Sequence, residues 1–595
     1  MSSSSISRAL PLFAAFALAA ASARVEAAAN RPCERRTLGF QVADIPSVEV
    51  RPRFLLNGRT FPGAGAGVAV FTLWASKPSE LFDGPQLILG NSDEPPQPVR
   101  VIPGVYDVYY SWQSGNMVPR NFLTRVLRAV PVHRNRELTI DVPMVTVSGF
   151  KRHNGEAFHD DGSAAELTLR AVGRPGRVPL GATLPSEFLV RLIPGEYTLE
   201  YDWTEGDTIP RNRHATVRGV RLVKDVANLV LNVPSVAQDF VFLHNGAAFP
   251  ASVYEVGEIV LRRGTWEEAR AGATYQTPPT VVLIPGVYDV HWRHIQGSTV
   301  PRNQDARFRK GLVINGTPRT IDVPSLEVSG DIRVNGQAPP ALISNYARLW
   351  LETRDGGNRM LLGATLYGSF RLRVVPGAYD VVYEHVAGDV LPSNPRTTIT
   401  RAWRVAAQPV RTIDIPSGTY EGRFLLNGAP FPNSPYETGR MYLLAPEGGG
   451  DPVLLGATRD QSFARRVIPG VYRSAYAFLQ GETTVPHNTL TTFGPVRRVR
   501  RGNGPASESD ILNVRAGGLT VSYEHKGVPL PEGGPANARL DLYRGDHSLT
   551  LPESSEGAVE RVAMEGRFEL FYHYVSGPGL PRNVFMPLAC WNLVP

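Results

Sequence analysis

The chain has 595 residues, 42% hydrophobic and 20% charged, with a formal net charge of +7. That apolar share excludes an intrinsically disordered chain, and glycine (57) plus proline (51) indicate turn-rich β-structure. A charge this dilute excludes a nucleic-acid binder, and only two cysteines exclude a Cys-rich metal site.

Residues 1–29 read as a secretory leader. Arg8 supplies the positive end, and Ala9 to Ala21 is an apolar run of about 13 residues, too short to cross a bilayer. Small-residue cleavage sites follow at Ala21-Ser-Ala23 and Ala27-Ala-Ala29. No later stretch is apolar for long enough to span a membrane. The expectation is an exported protein of the periplasm, cell surface or extracellular space.

Cys33 comes next, then a short alternating stretch, Phe40-Gln-Val-Ala-Asp-Ile45. From Ile45-Pro46 onward the chain repeats itself, and a fixed period is read before any finer feature. The first five copies open with a Val-Pro or Ile-Pro step and an apolar run ending at Asn57-Gly58, Asn154-Gly155, Asn245-Gly246, Asn335-Gly336 or Asn427-Gly428; Lys526-Gly527 takes the place of the Asn-Gly in the last. Asn-Gly between apolar runs signals a tight hairpin. The middle of the copy is Val101-Ile-Pro-Gly-Val-Tyr, which returns at Leu192, Leu283, Val374 and Val467 and in worn form at Met564. The glycines Gly104, Gly195, Gly286, Gly377, Gly470 and Gly566 are spaced by 91, 91, 91, 93 and 96 residues. Pro-Gly suits the centre of a type II turn, in which the glycine takes a positive φ. Tyr106, Val108, Tyr110 and Trp112 then alternate on one face, as in a half-buried strand. A glycine stops that strand and a Pro-x-Asn corner follows at residues 119–121, 210–212, 301–303, 392–394, 486–488 and 581–583.

The fourth copy carries seven candidate strands: 326–334, 347–354, 360–366, 369–375, 378–387, 397–407 and 409–415. The fold expected is all-β, six tandem seven-stranded antiparallel β-sandwich repeats of about 91 residues each. The boundaries are 38–142, 143–233, 234–323, 324–415, 416–514 and a shortened 515–595. Leu362-Gly-Ala-Thr, followed by Ser369-Phe370 and Val374-Val-Pro-Gly-Ala-Tyr379, resembles the core of transthyretin-like, or carboxypeptidase regulatory-like, domains. Leu180-Gly-Ala-Thr and Leu455-Gly-Ala-Thr repeat the pattern, whereas the first and sixth copies depart from it. The resemblance implies a seven-stranded sandwich used as an accessory or stalk module.

No zinc-binding His-Glu-x-x-His, nucleophile elbow, P-loop or dinucleotide fingerprint is present. His291 and His294 fall on opposite faces of a strand and cannot chelate together. His153, His159, Asp160 and Asp161 surround one hairpin only and read as a solvated loop. No cofactor and no metal are expected. The best binding candidates are the recurring corners: Arg120 and Asn121, Arg211 and Asn212, Arg302 and Asn303, Arg582 and Asn583. Their guanidinium forks suit carboxylates or sugar hydroxyls. The competing reading makes the asparagine a turn cap and pairs the arginine with a neighbouring acid such as Asp107 or Asp289. Arginines after each corner, such as Arg125, Arg218, Arg307 and Arg404, are either solvated strand positions or a basic stripe.

Cys33 and Cys590 stand at the two ends of the mature chain. An exported protein favours a disulfide, but a straight rod separates them too far, so a bond requires a closed array. The stretch 40–45 resembles the last strand of a copy with no copy before it, and the sixth copy lacks a last strand. Rod and ring both stay open, as do free thiols, linkage between chains and the oligomeric state. The function expected is a non-enzymatic structural or adhesive repeat protein of the cell envelope or extracellular space. The alternative is a carbohydrate-binding protein that recognises polysaccharide, or another envelope component, through repeated loops.

Overall fold

The computed structural model describes residues 33–594 except 64, 77–86, 276–279, 355–356, 406–410, 446–449, 503–508, 531–532, 546 and 559; the leader lies outside them. Alternation of apolar and polar side chains produces strands throughout. The fourth repeat is representative: Leu326–Val334, Tyr346–Glu352, Arg359–Ala364, Ser369–Val374, Gly377–Ala387, Thr397–Val405 and Arg411–Ile415. The second, third, fifth and sixth of these form one antiparallel sheet; the first, fourth and seventh form the other. Tyr379, Val381 and Tyr383 point into the space between the sheets and are at most 2% exposed. Burying each such side chain contributes roughly 1.5–3 kcal/mol. No helix among the described residues is long and apolar enough to cross a membrane.

Two expectations are corrected. The sandwiches are not purely antiparallel: the first and last strands of a repeat run parallel, as in Ile332↔Ile413 and Val334↔Ile415, or Phe54↔Ile140 in the first repeat. The chain leaves each sandwich in the direction it came in. A proline, which lacks the N–H a ladder needs, then stops the strand and starts the next unit. The Pro-Gly steps are not type II turns either. Gly104, Gly195, Gly286, Gly377 and Gly470 have no positive φ and instead begin the long fifth strand. Glycine is needed there because the tyrosine two residues on lies against it: a Cβ on Gly104 would sit 3.3 Å from the Tyr106 ring. The Asn-Gly hairpins do take the left-handed region, with Asn57 at φ 51° and Gly58 at φ 75°.

The two ends of the chain meet. The Gly39–Ile45 strand lies parallel to Ala516–His525, with Ile45 opposite His525, in the place that each repeat's own last strand takes elsewhere. Residues 38–45 therefore belong to the sixth sandwich, not the first. The register is the internal one. Hairpin glycines Gly58, Gly155, Gly246, Gly336 and Gly428 donate their N–H to Asp141, Asn232, Asp322, Asp414 and Asn513 on the last strands. Gly527 donates to Asp44, 483 residues earlier in the chain. The Glu34–Thr37 strand pairs in parallel with Met586–Val594, and Cys33 is bonded to Cys590 across a sequence separation of 557. Side chains of the first and sixth repeats, among them Phe71, Tyr106, Leu540 and Tyr572, form one continuous core. The array is a ring.

A disulfide spanning almost the whole chain restricts the unfolded state strongly. Replacing Cys33 and Cys590 by serine is expected to cost about 2–5 kcal/mol. In hydrogen exchange, the amides of Gly39–Ile45 will lose protection while the strands of the third and fourth repeats keep theirs.

Candidate functional site: joints between the sandwiches

The Pro-x-Asn corners lie between neighbouring sandwiches. Within its own unit the proline carbonyl accepts a hydrogen bond from a buried aromatic tip: Tyr110 to Pro119 at 2.7 Å, Tyr201 to Pro210 at 2.7 Å, Trp292 to Pro301 at 2.7 Å. Tyr383, Tyr476 and Tyr572 do the same to Pro392, Pro486 and Pro581. Burial pushes the Tyr110 and Tyr201 hydroxyls well above the usual tyrosine range, so they remain neutral donors.

The asparagine faces the next unit. Asn121 Oδ1 accepts from the Ile193 N–H at 2.8 Å, and its Nδ2 donates to the Tyr197 hydroxyl at 3.1 Å. Asn212 treats Ile284 and Tyr288 alike at 2.9 and 2.9 Å, and Asn303 meets Val375 and Tyr379 at 2.7 and 2.8 Å. Asn394 meets Ile468 and Tyr472 at 2.7 and 3.2 Å. The ring closes with the same joint, Asn583 to Ile102 and Tyr106 at 2.8 and 3.2 Å. All six asparagines are fully buried. The residue they hold is an apolar peg in the preceding sandwich: Ile284, Val375, Ile468 and Met564 each pack into the core of the unit before their own.

This corrects part of the sequence reading. Asn121, Asn212, Asn303 and Asn583 offer nothing to a ligand, because both ends of each amide are taken by the joint. They are not caps of their own turn either. Asp107 and Asp289 pair with Arg125 and Arg307, each at 3.2 Å, rather than with the corner arginines. The arginines stay at the surface. Arg120 lies 5.4 Å from the Trp112 ring centre, Arg211 pairs with Asp207, and Arg302 and Arg582 are exposed. Sequence reasoning missed the partner side of the joint, the peg N–H that donates and the tyrosine hydroxyl that accepts. Its signal was available: the peg and the tyrosine recur with the same period as the asparagine.

The fifth joint is incomplete. Asn488 Oδ1 accepts from Met564 N–H at 2.9 Å, but Phe568 stands where the other units have tyrosine, and the buried Asn488 Nδ2 has no partner.

Hinges at the sandwich ends carry a second recurring pair. His153 meets Ser235 at 2.7 Å, His244 meets Ser325 at 2.6 Å, and His525 meets Ser47 at 2.7 Å across the seam. Burial pushes all three imidazoles below the usual histidine range, so they sit neutral. His153 is thus a hinge residue, and among the described residues no group of three or more His, Cys, Asp or Glu is placed to hold a metal.

Two joints are open enough to form clefts. One, of about 370 Å³, lies between the second and third sandwiches and is lined by Trp203, Arg211, Arg213, Arg270, Gly272 and Ala273. The other, of about 410 Å³, lies on the seam between the sixth and first, lined by Tyr574, Arg582, Val584, Ile88, Gly90 and Asn91. Trp203 and Tyr574 occupy equivalent positions, and their polar tips hold the carbonyls of the loop glycines Gly206 and Gly577 at 2.9 and 3.1 Å.

The fold and its joints define the class: a closed circular array of β-sandwiches. No family model matches the chain, and no curated protein is similar to it. Among solved structures, the Bacillus anthracis TIE protein is 8% identical, over 62% of this chain and 74% of its own, with a TM-score of 0.13. A streptococcal ancillary pilin is 10% identical over 47% of this chain and 98% of its own, again with a TM-score of 0.13. Two B repeat units of the Staphylococcus aureus collagen-binding protein are 11% identical over 62% and 98%, with a TM-score of 0.13. Scores this low carry no argument about what the ring does.

Completing the fifth joint by Phe568→Tyr is expected to stabilise the protein by about 1 kcal/mol in urea denaturation. Asn303→Ala, which strands the buried Val375 N–H, is expected to cost about 1–3 kcal/mol.

The histidines give a pH dependence of defined sign. Their folded pKa lies below the unfolded value of about 6.5, so the unfolded chain binds more protons between the two. Stability will be intact above that value and fall as the pH drops from about 7 toward 5. The urea midpoint measured across that window checks this, and His525→Asn will flatten the slope.

Proposed function

We propose that the chain is an exported, non-catalytic structural ring of the cell envelope or extracellular space, with adhesion to envelope material as its working role. The observation that carries this reading is the sixfold joint itself. All six buried corner asparagines are spent on holding neighbours together, and among the described residues no recurring motif is arranged as nucleophile, base and oxyanion donors. The disulfide suits an oxidising compartment, in agreement with a leader at residues 1–29. The finer family reading, transthyretin-like sandwiches, is proposed on the recurring Leu-Gly-Ala-Thr and Pro-Gly-x-Tyr core of the repeats. The boundaries of the six repeats are proposed as the sequence sets them, with residues 38–45 transferred to the last.

A second reading is favoured by the two clefts: the ring binds polysaccharide through joint residues, of which Arg211 and Arg582 line the clefts, while Arg120 and Arg302 remain surface candidates. Incubating the purified mature protein with insoluble polysaccharides and cell-wall preparations, at low and high salt, tests adhesion. Salt-resistant retention is the expected result. Loss of all retention, or turnover of ester, peptide or glycoside substrates, would sink the structural-adhesive reading.

A further inference from the structure

The two clefts are built alike although their walls come from different repeats. Each sets one aromatic ring, Trp203 or Tyr574, beside the corner arginine, Arg211 or Arg582, and closes against the next unit's third strand at a glycine and a small or polar residue, Gly272-Ala273 or Gly90-Asn91. The acids near the first cleft are already engaged. Glu268 is held by Arg293 at 3.2 Å and Arg262 at 3.1 Å, and Glu258 by Arg293 at 3.3 Å. These arginines hold the Glu268 carboxyl below the usual range despite its burial. Of the lining guanidiniums, Arg213 stacks over Trp203 at 5.5 Å, Arg270 reaches Glu258 at 3.5 Å, and Arg211 has the solvent-exposed Asp207, a pair worth little in water. In the seam cleft Arg582 is exposed, and Glu94 is held by Asn91 at 3.0 Å.

An aromatic ring with a guanidinium at its edge matches a pyranose that carries a carboxylate. The sugar's C–H face covers the ring, and the carboxylate takes the planar fork. The same pairing at two joints, with one joint between them, suits a polymer that presents the same sugar repeatedly, since a second contact on one chain is intramolecular. We propose that these two clefts bind uronate residues of an acidic polysaccharide, with Arg211 and Arg582 as carboxylate anchors, Tyr574 as a stacking platform, and Trp203, whose ring Arg213 already covers, as the aromatic wall of the first cleft. This rests on the glycan-binding reading above and names its ligand class.

The test is calorimetric titration of the full mature protein with oligogalacturonate, with oligoglucuronate, and with a neutral glucan of equal length. Affinity for a uronate oligomer is expected to fall roughly tenfold or more in Arg211→Ala/Arg582→Ala, the worth of one charge-assisted contact. Filling the clefts from the opposite wall, Ala273→Trp with Asn91→Trp, leaves the anchors and the joints in place and is expected to lower affinity as much. Unchanged affinity in both double variants, preference for the neutral glucan, or no affinity for either uronate overturns the proposal. Retention on cell-wall material without uronate affinity defeats this assignment alone, whereas absence of both defeats the adhesive reading as well.

Discussion

One buried amide decides how this molecule is put together. An asparagine side chain has an acceptor and a donor on a rigid plane, and here the two ends reach different parts of the neighbouring sandwich: a backbone N–H and a tyrosine hydroxyl. That fixes distance and rotation together. Burial makes the arrangement obligatory, since an amide taken from water without partners costs more than its hydrogen bonds return. The apolar peg beside it excludes water from the same spot.

A joint that links one unit to the next head to tail generates either an open filament or a closed ring, depending on the rotation it imposes. The joint recurs from Asn121 to Asn583 with one partner missing at Asn488, its rotation brings the array back on itself, and the last joint is made with Ile102 and Tyr106 of the first sandwich. Closure is reinforced at three levels: strand pairing of residues 34–45 with the sixth sandwich, one merged core, and the covalent bond between Cys33 and Cys590. Only the pairing of residues 39–45 has counterparts in the other sandwiches; the Glu34–Thr37 strand, the merged core and the covalent bond belong to the closure alone.

Much of the fold was legible in the sequence because a period repeated six times separates signal from noise. The seven candidate strands of the fourth repeat lie within two residues of those observed at nearly every boundary, since alternation there is clean. Pairing direction was less legible: whether Ile332 meets Ile413 in parallel depends on the path between them, not on either strand's pattern. Asn121 and its equivalents were visible as recurring residues, but their partners lie 72 to 78 residues further on, or for Asn583 back at residues 102 and 106, beyond any local rule. Lys151 was opaque for another reason. It replaces the core phenylalanine or isoleucine found at Phe54, Phe242, Ile332 and Phe424, is 2% exposed, and satisfies its amine on the Ala182 carbonyl, a choice no periodicity announces. The clefts were beyond reach because they arise from the space left between units.

The pairing of residues 39–45 with 516–525 reverses the order of synthesis and assembly. The strand that completes the last sandwich is made early, more than 470 residues before the strand it pairs with. At roughly 5–20 residues per second, it waits on the order of a minute for its partner. During that interval Phe40 and Val42 belong to no sheet, and the sixth sandwich has no last strand until the whole chain has emerged. Any truncation near the carboxyl end therefore does more than shorten the protein. It leaves the amino-terminal strand without a place to fold, so loss of the last repeat is felt at the opposite end of the sequence.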